Sequence, residues 1–170
     1  MAILKKLFLI QQSTFVFMDL ILWRHAETMQ ANEGESDADR VLSARGERQA
    51  QRMAHWLERQ LPESTKILCC PTVRAEQTVT PLGRKYKLRD ELSPNASIED
   101  VLNLVQWPAN KHSVLLVTHQ PLIGEVIKKL LQIQSSEVVI KKGSVWWLRS
   151  RDREDQTQTM LVTVQTPELM

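Results

Sequence analysis

The chain has 170 residues, of which 42% are hydrophobic, and its 22 basic and 20 acidic side chains leave a net charge of +2. This length is typical of one domain with a buried core. Because the charges nearly balance, the composition argues against nucleic-acid binding, which needs a clustered basic surface.

The chain begins with an apolar segment that resembles a targeting sequence. Lys5 and Lys6 precede the run LFLI, as at the start of a secretory signal, but QQST interrupts the run and no small-residue cleavage pattern follows. The run is also too short to span a membrane. We therefore expect residues 1–17 to be a poorly ordered extension, or Met18 to be the natural start. We expect residues 18–170 to form a single domain that does not bind membranes.

Short apolar runs and helical periodicity alternate along the rest of the chain. Buried parallel strands are predicted at residues 20–23, 67–70 and 114–117. Helices are predicted at residues 44–59, 72–80 and 98–106 and from Pro121 onward. Ser43 is the predicted N-cap of the first helix, and Ser97 with Asp100 resembles a capping box before the third.

The C-terminal part is predicted to be a hairpin, with strands at residues 144–148 and 160–164 and the polar run RSRDREDQTQ as their connection. Alternation of strands and helices predicts an α/β layer fold with a mainly parallel sheet. Ligands of such sheets bind at the carboxyl ends of the strands.

The two cysteines, Cys69 and Cys70, are adjacent, and neighbours on a strand point to opposite faces, so a disulfide between them would be strained. Reduced thiols fit a cytoplasmic protein. The sequence has no CxxC, HExxH or paired His–Cys cluster, so we expect no metal and no cofactor.

Basic and imidazole side chains follow all three predicted strands. Arg24 and His25 come after the first strand, Arg74 soon after the second, and His119 after the third. Arginine forks match phosphoryl oxygens, a neutral imidazole can attack phosphorus, and a second imidazole can stabilise charge in the transition state. Each residue alone could instead be structural; Arg74, for example, could pair with Glu76 or Glu47.

These residues lie in four motifs that resemble the histidine phosphatase superfamily, the phosphoglycerate mutase-like group. RHAE at residues 24–27 resembles the Arg-His-Gly start, and LSARGERQA at 42–50 resembles L-[ST]-x-x-G-x-x-Q-A. CPTVRAEQT at 70–78 resembles S-P-x-x-R-x-x-Q-T, and TH at 118–119 resembles the late [ST]-H element. The resemblance covers about residues 18–164 and implies a three-layer αβα sandwich with a C-terminal hairpin.

Within the superfamily the chain is most similar to the short SixA-type phosphohistidine phosphatases, because the interval between Arg74 and His119 has no room for the large helical insert of the mutases. The resemblance implies that His25 is the nucleophile and that Arg24, Arg74 and His119 hold the phosphoryl group. It also implies a metal-independent phosphatase acting on a phosphorylated protein, such as a histidine phosphotransfer domain. Ala26 and Cys70 depart from the family pattern, which has glycine and serine there.

A general acid is the least defined part of the expected site. Glu27 is the candidate, because it lies close to His25 in sequence. An imidazole leaving group, with a conjugate-acid pKa of about 6.5, needs little protonation, so a phosphohistidine substrate fits a site without a clear acid.

Two other functions remain open from the sequence. The chain could be a broad phosphomonoesterase for small phosphate compounds, or a non-catalytic phosphate-binding domain. The lysine pairs 128–129 and 141–142 are interpreted as solvated, with a rim that attracts an acidic partner as the alternative.

Overall fold

The computed structural model describes residues 17–34, 36–153 and 156–170. The predicted extension therefore lies almost wholly outside the described residues. The described strands are β1 (Met18–Arg24), β2 (Lys66–Cys69), β3 (Lys87–Leu88), β4 (Val114–Thr118), β5 (Val145–Arg153) and β6 (Gln156–Gln165). The helices are α1 (Ala44–Gln60), α2 (Val73–Val79), α3 (Ile98–Val105) and α4 (Leu122–Leu131).

The six strands form one sheet in the order β3-β2-β4-β1-β5-β6. The strands from β3 to β1 are parallel to their neighbours, whereas β5 is antiparallel to β1 and β6 to β5. The predicted α/β fold with a mainly parallel sheet and a C-terminal hairpin is confirmed. β4 is buried along its whole length, and β1 up to Arg24, as is typical of parallel strands that are covered on both faces.

The helix starts follow the capping chemistry in the sequence. The Ser43 hydroxyl accepts a hydrogen bond from the Gly46 N–H at the start of α1. Before α3, Ser97 and Asp100 form the predicted capping box. α1 packs against α2, and α3 packs against α4. No described helix is long and apolar enough to cross a lipid bilayer.

The hairpin prediction was wrong about the length of the two strands. The polar run predicted as a connection is mostly paired, with Arg149 opposite Met160 and Ser150 opposite Thr159. Ser150 is also the last β5 residue opposite β1, where it faces Met18. Beyond that point β5 and β6 continue as a two-stranded ribbon, which needs no apolar face to cover, so polar residues suit it.

Candidate active site

The sheet register brings the ends of β1 and β4 side by side. Arg24 lies opposite Thr118, and the ladder continues past the strands, because the His25 N–H donates to the Thr118 carbonyl at 2.9 Å. On the other side of β4, the Cys70 N–H donates to the Val117 carbonyl at 2.9 Å. The segments that carry the two histidines and Arg74 therefore leave the sheet at the same edge.

His25 is buried directly after β1, and one of its ring nitrogens is already hydrogen-bonded. Nδ1 lies 2.8 Å from the carbonyl oxygen of Ala26, which can only accept, so Nδ1 carries the proton and Nε2 has the lone pair. Burial lowers the pKa of His25 to about 3, assisted by the charges of Arg74, Arg24 and Lys142, while the bond to Ala26 opposes the shift. At neutral pH the imidazole is therefore uncharged and Nε2 is available to attack an electrophile.

The turn after His25 is fixed by α2. The Ala26 N–H donates to the Thr78 hydroxyl at 3.0 Å, and that hydroxyl donates to the Arg74 carbonyl at 2.7 Å. Ala26 has no positive φ, a conformation that among the described non-glycine residues occurs at Gln106 and Gln132. Alanine therefore fits where the family pattern has glycine.

His119 is held in the same tautomer by a different partner. The Thr118 hydroxyl donates to the Leu92 carbonyl at 3.1 Å, so its oxygen accepts from Nδ1 of His119 at 3.1 Å. Nε2 of His119 is buried and has no hydrogen-bond partner among the described residues. Burial first, and then the charges of Arg74 and Arg24, lower the pKa of His119 to about 4, against the opposing charge of Asp37. His119 precedes α4, which begins at Leu122.

The two arginines are anchored by different segments of the chain. Nη1 of Arg24 donates to the Ile140 carbonyl, whereas Nε is buried without a partner among the described residues. The Arg74 side chain is only 5% exposed; Nη1 donates to the Asp37 carbonyl and Nη2 to Asp37 Oδ2 at 2.8 Å. Arg74 thus pairs with Asp37 and not with Glu76 or Glu47. The hydrogen bonds between the strand ends bring the segments that carry these four residues to one edge of the sheet, and the charges of both arginines act on both imidazoles.

The Glu27 carboxylate is directed toward the N-terminus of α1. Oε1 accepts from the Ser43 hydroxyl at 2.9 Å, and Oε2 lies 3.4 Å from Nη1 of Arg45. The backbone of Glu27 also packs closely on α1, because a Cβ added at Gly46 would lie 1.9 Å from the Glu27 carbonyl oxygen. Glu27 therefore links the nucleophile turn to α1 and accepts hydrogen bonds there.

Residues 20–103 match the sequence model of a family described as the histidine phosphatase superfamily (branch 1). The phosphohistidine phosphatase SixA of Escherichia coli (strain K12) is 31% identical over 121 residues, which cover 66% of this chain and 74% of that protein. The chain belongs to the histidine phosphatase superfamily. It is therefore a hydrolase that acts as a phosphatase.

A further relative and two solved structures of SixA proteins are also similar to this chain. The SixA homolog of Haemophilus influenzae (strain ATCC 51907 / DSM 11121 / KW20 / Rd) is 29% identical over 129 residues, covering 66% of this chain and 77% of that protein. A solved structure of putative SixA from Nakamurella multipartitia is 26% identical with a TM-score of 0.73, covering 89% of this chain and 96% of that one. The structure of SixA complexed with tungstate, 23% identical, has a TM-score of 0.74 over 89% of this chain and 99% of that one, and shows the shared fold.

The second departure from the superfamily pattern, Cys70, keeps one polar contact. The Thr72 hydroxyl lies 3.7 Å from the Cys70 sulfur. Both cysteines are free and buried, and burial raises the pKa of each thiol. Cys70 is thus a neutral thiol behind the site.

Two charged residues near the phosphatase site were not assigned to it by the sequence analysis. Asp37 pairs with Arg74, and Lys142, interpreted as solvated, is half-buried with its charge acting on His25. Neither lies in a motif or in a periodic segment. Their only signal in the sequence is a charge on a loop between two predicted elements.

Proposed function

We propose that this phosphatase removes the phosphoryl group from phosphohistidine on a protein, through a covalent intermediate on Nε2 of His25. The hydrogen bond from Nδ1 of His25 to the Ala26 carbonyl is the observation that carries the proposal, because it leaves the lone pair on Nε2. Nε2 attacks phosphorus, and the P–N bond to the substrate imidazole breaks with its electron pair going to that imidazole. Water then attacks the phospho-His25, which releases phosphate and restores the free imidazole.

In this proposal the other three residues of the site, Arg24, Arg74 and His119, bind the phosphoryl oxygens. Arg24 has a buried Nε without a partner among the described residues, and Arg74 keeps N–H groups beyond the two that contact Asp37. His119 needs a proton on Nε2 to donate, because its Nδ1 proton is committed to Thr118. A bound dianion raises the pKa of a neighbouring imidazole, so substrate binding itself favours that proton. Guanidinium and imidazolium groups then neutralise the phosphoryl charge without a metal ion.

The leaving group is the reason to prefer phosphohistidine over an alkyl phosphate. An alkoxide must be protonated as it leaves, whereas an imidazole with a conjugate-acid pKa of about 6.5 needs much less help. The Glu27 carboxylate accepts from Ser43 and faces Arg45. Hydrogen bonding from Arg40, followed by the charge and bonding of Arg74, lowers the pKa of Asp37 despite its partial burial, so Asp37 is a poor acid.

A protein substrate is supported by the surroundings of the site. The fully described segment from α2 to β4 contains only β3, α3 and two short 3-10 turns, so no large helical insert lies over the strand ends. The SixA relatives are named as phosphohistidine phosphatases. We take residues 18–170 as one catalytic domain, and the two free thiols fit the cytoplasm.

Trapping the intermediate tests the proposal. The chain is mixed with a phosphohistidine protein carrying labelled phosphate and quenched within one turnover, with a chelator present throughout. We expect a label on the chain that is acid-labile and base-stable, and that His25→Ala abolishes. His55→Ala, at an exposed position of α1, is the matched control and keeps the label. A label that survives the loss of His25, or hydrolysis that stops with the chelator, contradicts the proposal.

A further inference from the structure

The charges of Arg24, His25, Arg74 and His119, the quartet of site residues, do not balance the charge of a phosphoryl group. Arg74 is paired with the Asp37 carboxylate, and burial keeps His25 and His119 neutral, with pKa values of about 3 and about 4. Arg24 is then the one member of the quartet with an uncompensated positive charge in the free protein, since no described carboxylate pairs with it. A phosphoryl group carries between about 1.5 and 2 negative charges at neutral pH. Before any proton uptake, the site therefore lacks between about 0.5 and 1 positive charge.

The loop over residues 140–144 is fixed against the nucleophile turn. The Gly143 N–H donates to the carbonyls of both Arg24, at 3.2 Å, and His25, at 3.0 Å. The Gly143 carbonyl accepts from Trp23 Nε1 at 3.2 Å, and Gly143 has a φ of 75°, which favours glycine. The backbone of Lys142 is thus held beside His25 by hydrogen bonds on the residue that follows it.

The Lys142 side chain brings a charge to that position. Lys142 is half-buried, whereas Lys141 is exposed, and the positive charge of Lys142 acts on the His25 imidazole. In the described part of the chain no acidic side chain forms an ion pair with Lys142. A half-buried lysine without a described counter-ion, whose charge acts on the nucleophile, is suited to an anionic ligand.

We propose that Lys142 is a further phosphoryl-binding residue, whose ammonium contacts a non-bridging oxygen of the group bound between Arg24 and Arg74. This inference rests on the proposed function, because it takes the site to bind a phosphoryl group. Arg24 fixes the orientation of that group with its planar fork, and the flexible ammonium adds charge without a demand on geometry. His119 can supply charge only after it takes up a proton, whereas the lysine is already charged.

Binding of inorganic phosphate to the full chain, measured by titration calorimetry at pH 7 and constant salt, tests Lys142. We expect Lys142→Gln to weaken binding about 10-fold or more, as for the loss of a charge-assisted hydrogen bond. Lys142→Arg restores most of the affinity. Lys141→Gln is the matched control, because it removes the same charge from the adjacent, exposed position, and it changes the affinity by less than about 2-fold.

Two results overturn the assignment: phosphate affinity unchanged in Lys142→Gln, or an equal loss in Lys141→Gln, which would indicate a general surface field. Should Lys142→Gln not fold, Lys142→Met, which keeps the apolar stem, takes its place with the same expected loss. The phosphate-binding assay needs no turnover. It can therefore contradict the role of Lys142 without contradicting the intermediate on His25, and the labelling experiment can do the reverse. Normal labelling of His25 with unchanged phosphate affinity in Lys142→Gln removes Lys142 alone. Weakened phosphate binding in Lys142→Gln without a label on His25 in the parent removes the catalytic proposal alone.

Discussion

The two arginines of the site are held in different ways. Arg74, in the first turn of α2, bonds both the carbonyl and the carboxylate of Asp37, whereas Arg24, at the end of β1, donates to the main-chain carbonyl of Ile140. Arg74 is thus half of an ion pair, and Arg24 has no described carboxylate partner, although burial lowers its pKa. On the proposed function, we therefore expect Arg24 to bring uncompensated charge to the anion, whereas Arg74 is held in a fixed position by Asp37.

The largest effect is expected from removing Arg24. Arg24→Ala should lower kcat/KM for a phosphohistidine peptide about 1,000-fold, or about 4 kcal/mol, because it removes the uncompensated charge and the fork together. Arg24→Lys should recover less than about a tenth of that loss, since an ammonium cannot make the bidentate contact. Steady-state kinetics measures both values. A loss below about 10-fold for the alanine variant would mean that Arg24 does not touch the phosphoryl group.

Removing Arg74 should lower kcat/KM less than removing Arg24, and a second substitution should restore part of the loss. We expect Arg74→Ala to lower kcat/KM about 100-fold, in part because the Asp37 carboxylate is left unpaired beside the anion. Adding Asp37→Asn to Arg74→Ala should restore about 3-fold to 10-fold. The double-mutant cycle reports this coupling. Strictly additive losses would show that Asp37 does not influence the anion site.

The buried imidazoles predict a pH dependence of stability. Their folded pKa values, about 3 for His25 and about 4 for His119, lie below the unfolded value of about 6.5. The unfolded chain therefore binds more protons below pH 6.5, and the free energy of unfolding falls as the pH falls, by up to about 1.4 kcal/mol per pH unit for each histidine. Stability from this source is fully present above pH 6.5 and is lost progressively down to about pH 4 for His119 and about pH 3 for His25.

Urea unfolding of the parent and two variants between pH 7 and pH 5 measures this slope. His25→Asn and His119→Asn should each reduce it by about 1 kcal/mol per pH unit. His55→Asn, on the exposed side of α1, serves as the control and should leave the slope as it is. A parent whose stability stays constant from pH 7 to pH 5 would be inconsistent with two buried, neutral imidazoles.

The difference between Arg24, at a strand end, and Arg74, held by a loop residue, also shows which parts of the site could be predicted from sequence. The three buried strands were predictable because each is a short apolar run, and the parallel sheet then puts the chain segments that follow them at one edge. The contact between Arg74 and Asp37 was not, because Asp37 lies in an irregular loop whose path no periodicity specifies. Lys142 was interpreted as solvated for the same reason, since hydrogen bonds of the loop backbone, among them those of Gly143 and Ser144, bring its loop to Arg24 and His25. The paired polar ribbon of β5 and β6 lacks the apolar face that strand prediction relies on.

A smaller effect, of opposite sign, is expected from Asp37. Asp37→Asn keeps a side-chain acceptor for Arg74 but removes the negative charge, so inorganic phosphate should bind about 3-fold more tightly. Asp39→Asn is the control, because Asp39 is exposed in the same 3-10 turn and has the same charge. Calorimetric titration at constant salt measures both affinities. Weaker phosphate binding in Asp37→Asn would show that the carboxylate serves mainly to hold Arg74 in place.

The smallest change is expected at Glu27, the carboxyl that lies nearest to His25 in sequence. Its carboxylate accepts from the Ser43 hydroxyl and faces Arg45, so Glu27→Gln, which keeps an acceptor at Oε1, should change kcat on a phosphohistidine substrate by less than about 2-fold. Arg45→Gln, which removes the ion pair from its other end, is the matched control and should be equally mild. The informative comparison is with an alkyl phosphate, whose leaving group needs a proton. If Glu27→Gln lowers kcat on phosphohistidine more than 10-fold while Arg45→Gln does not, Glu27 is a proton donor, and the preference for an imidazole leaving group loses its basis.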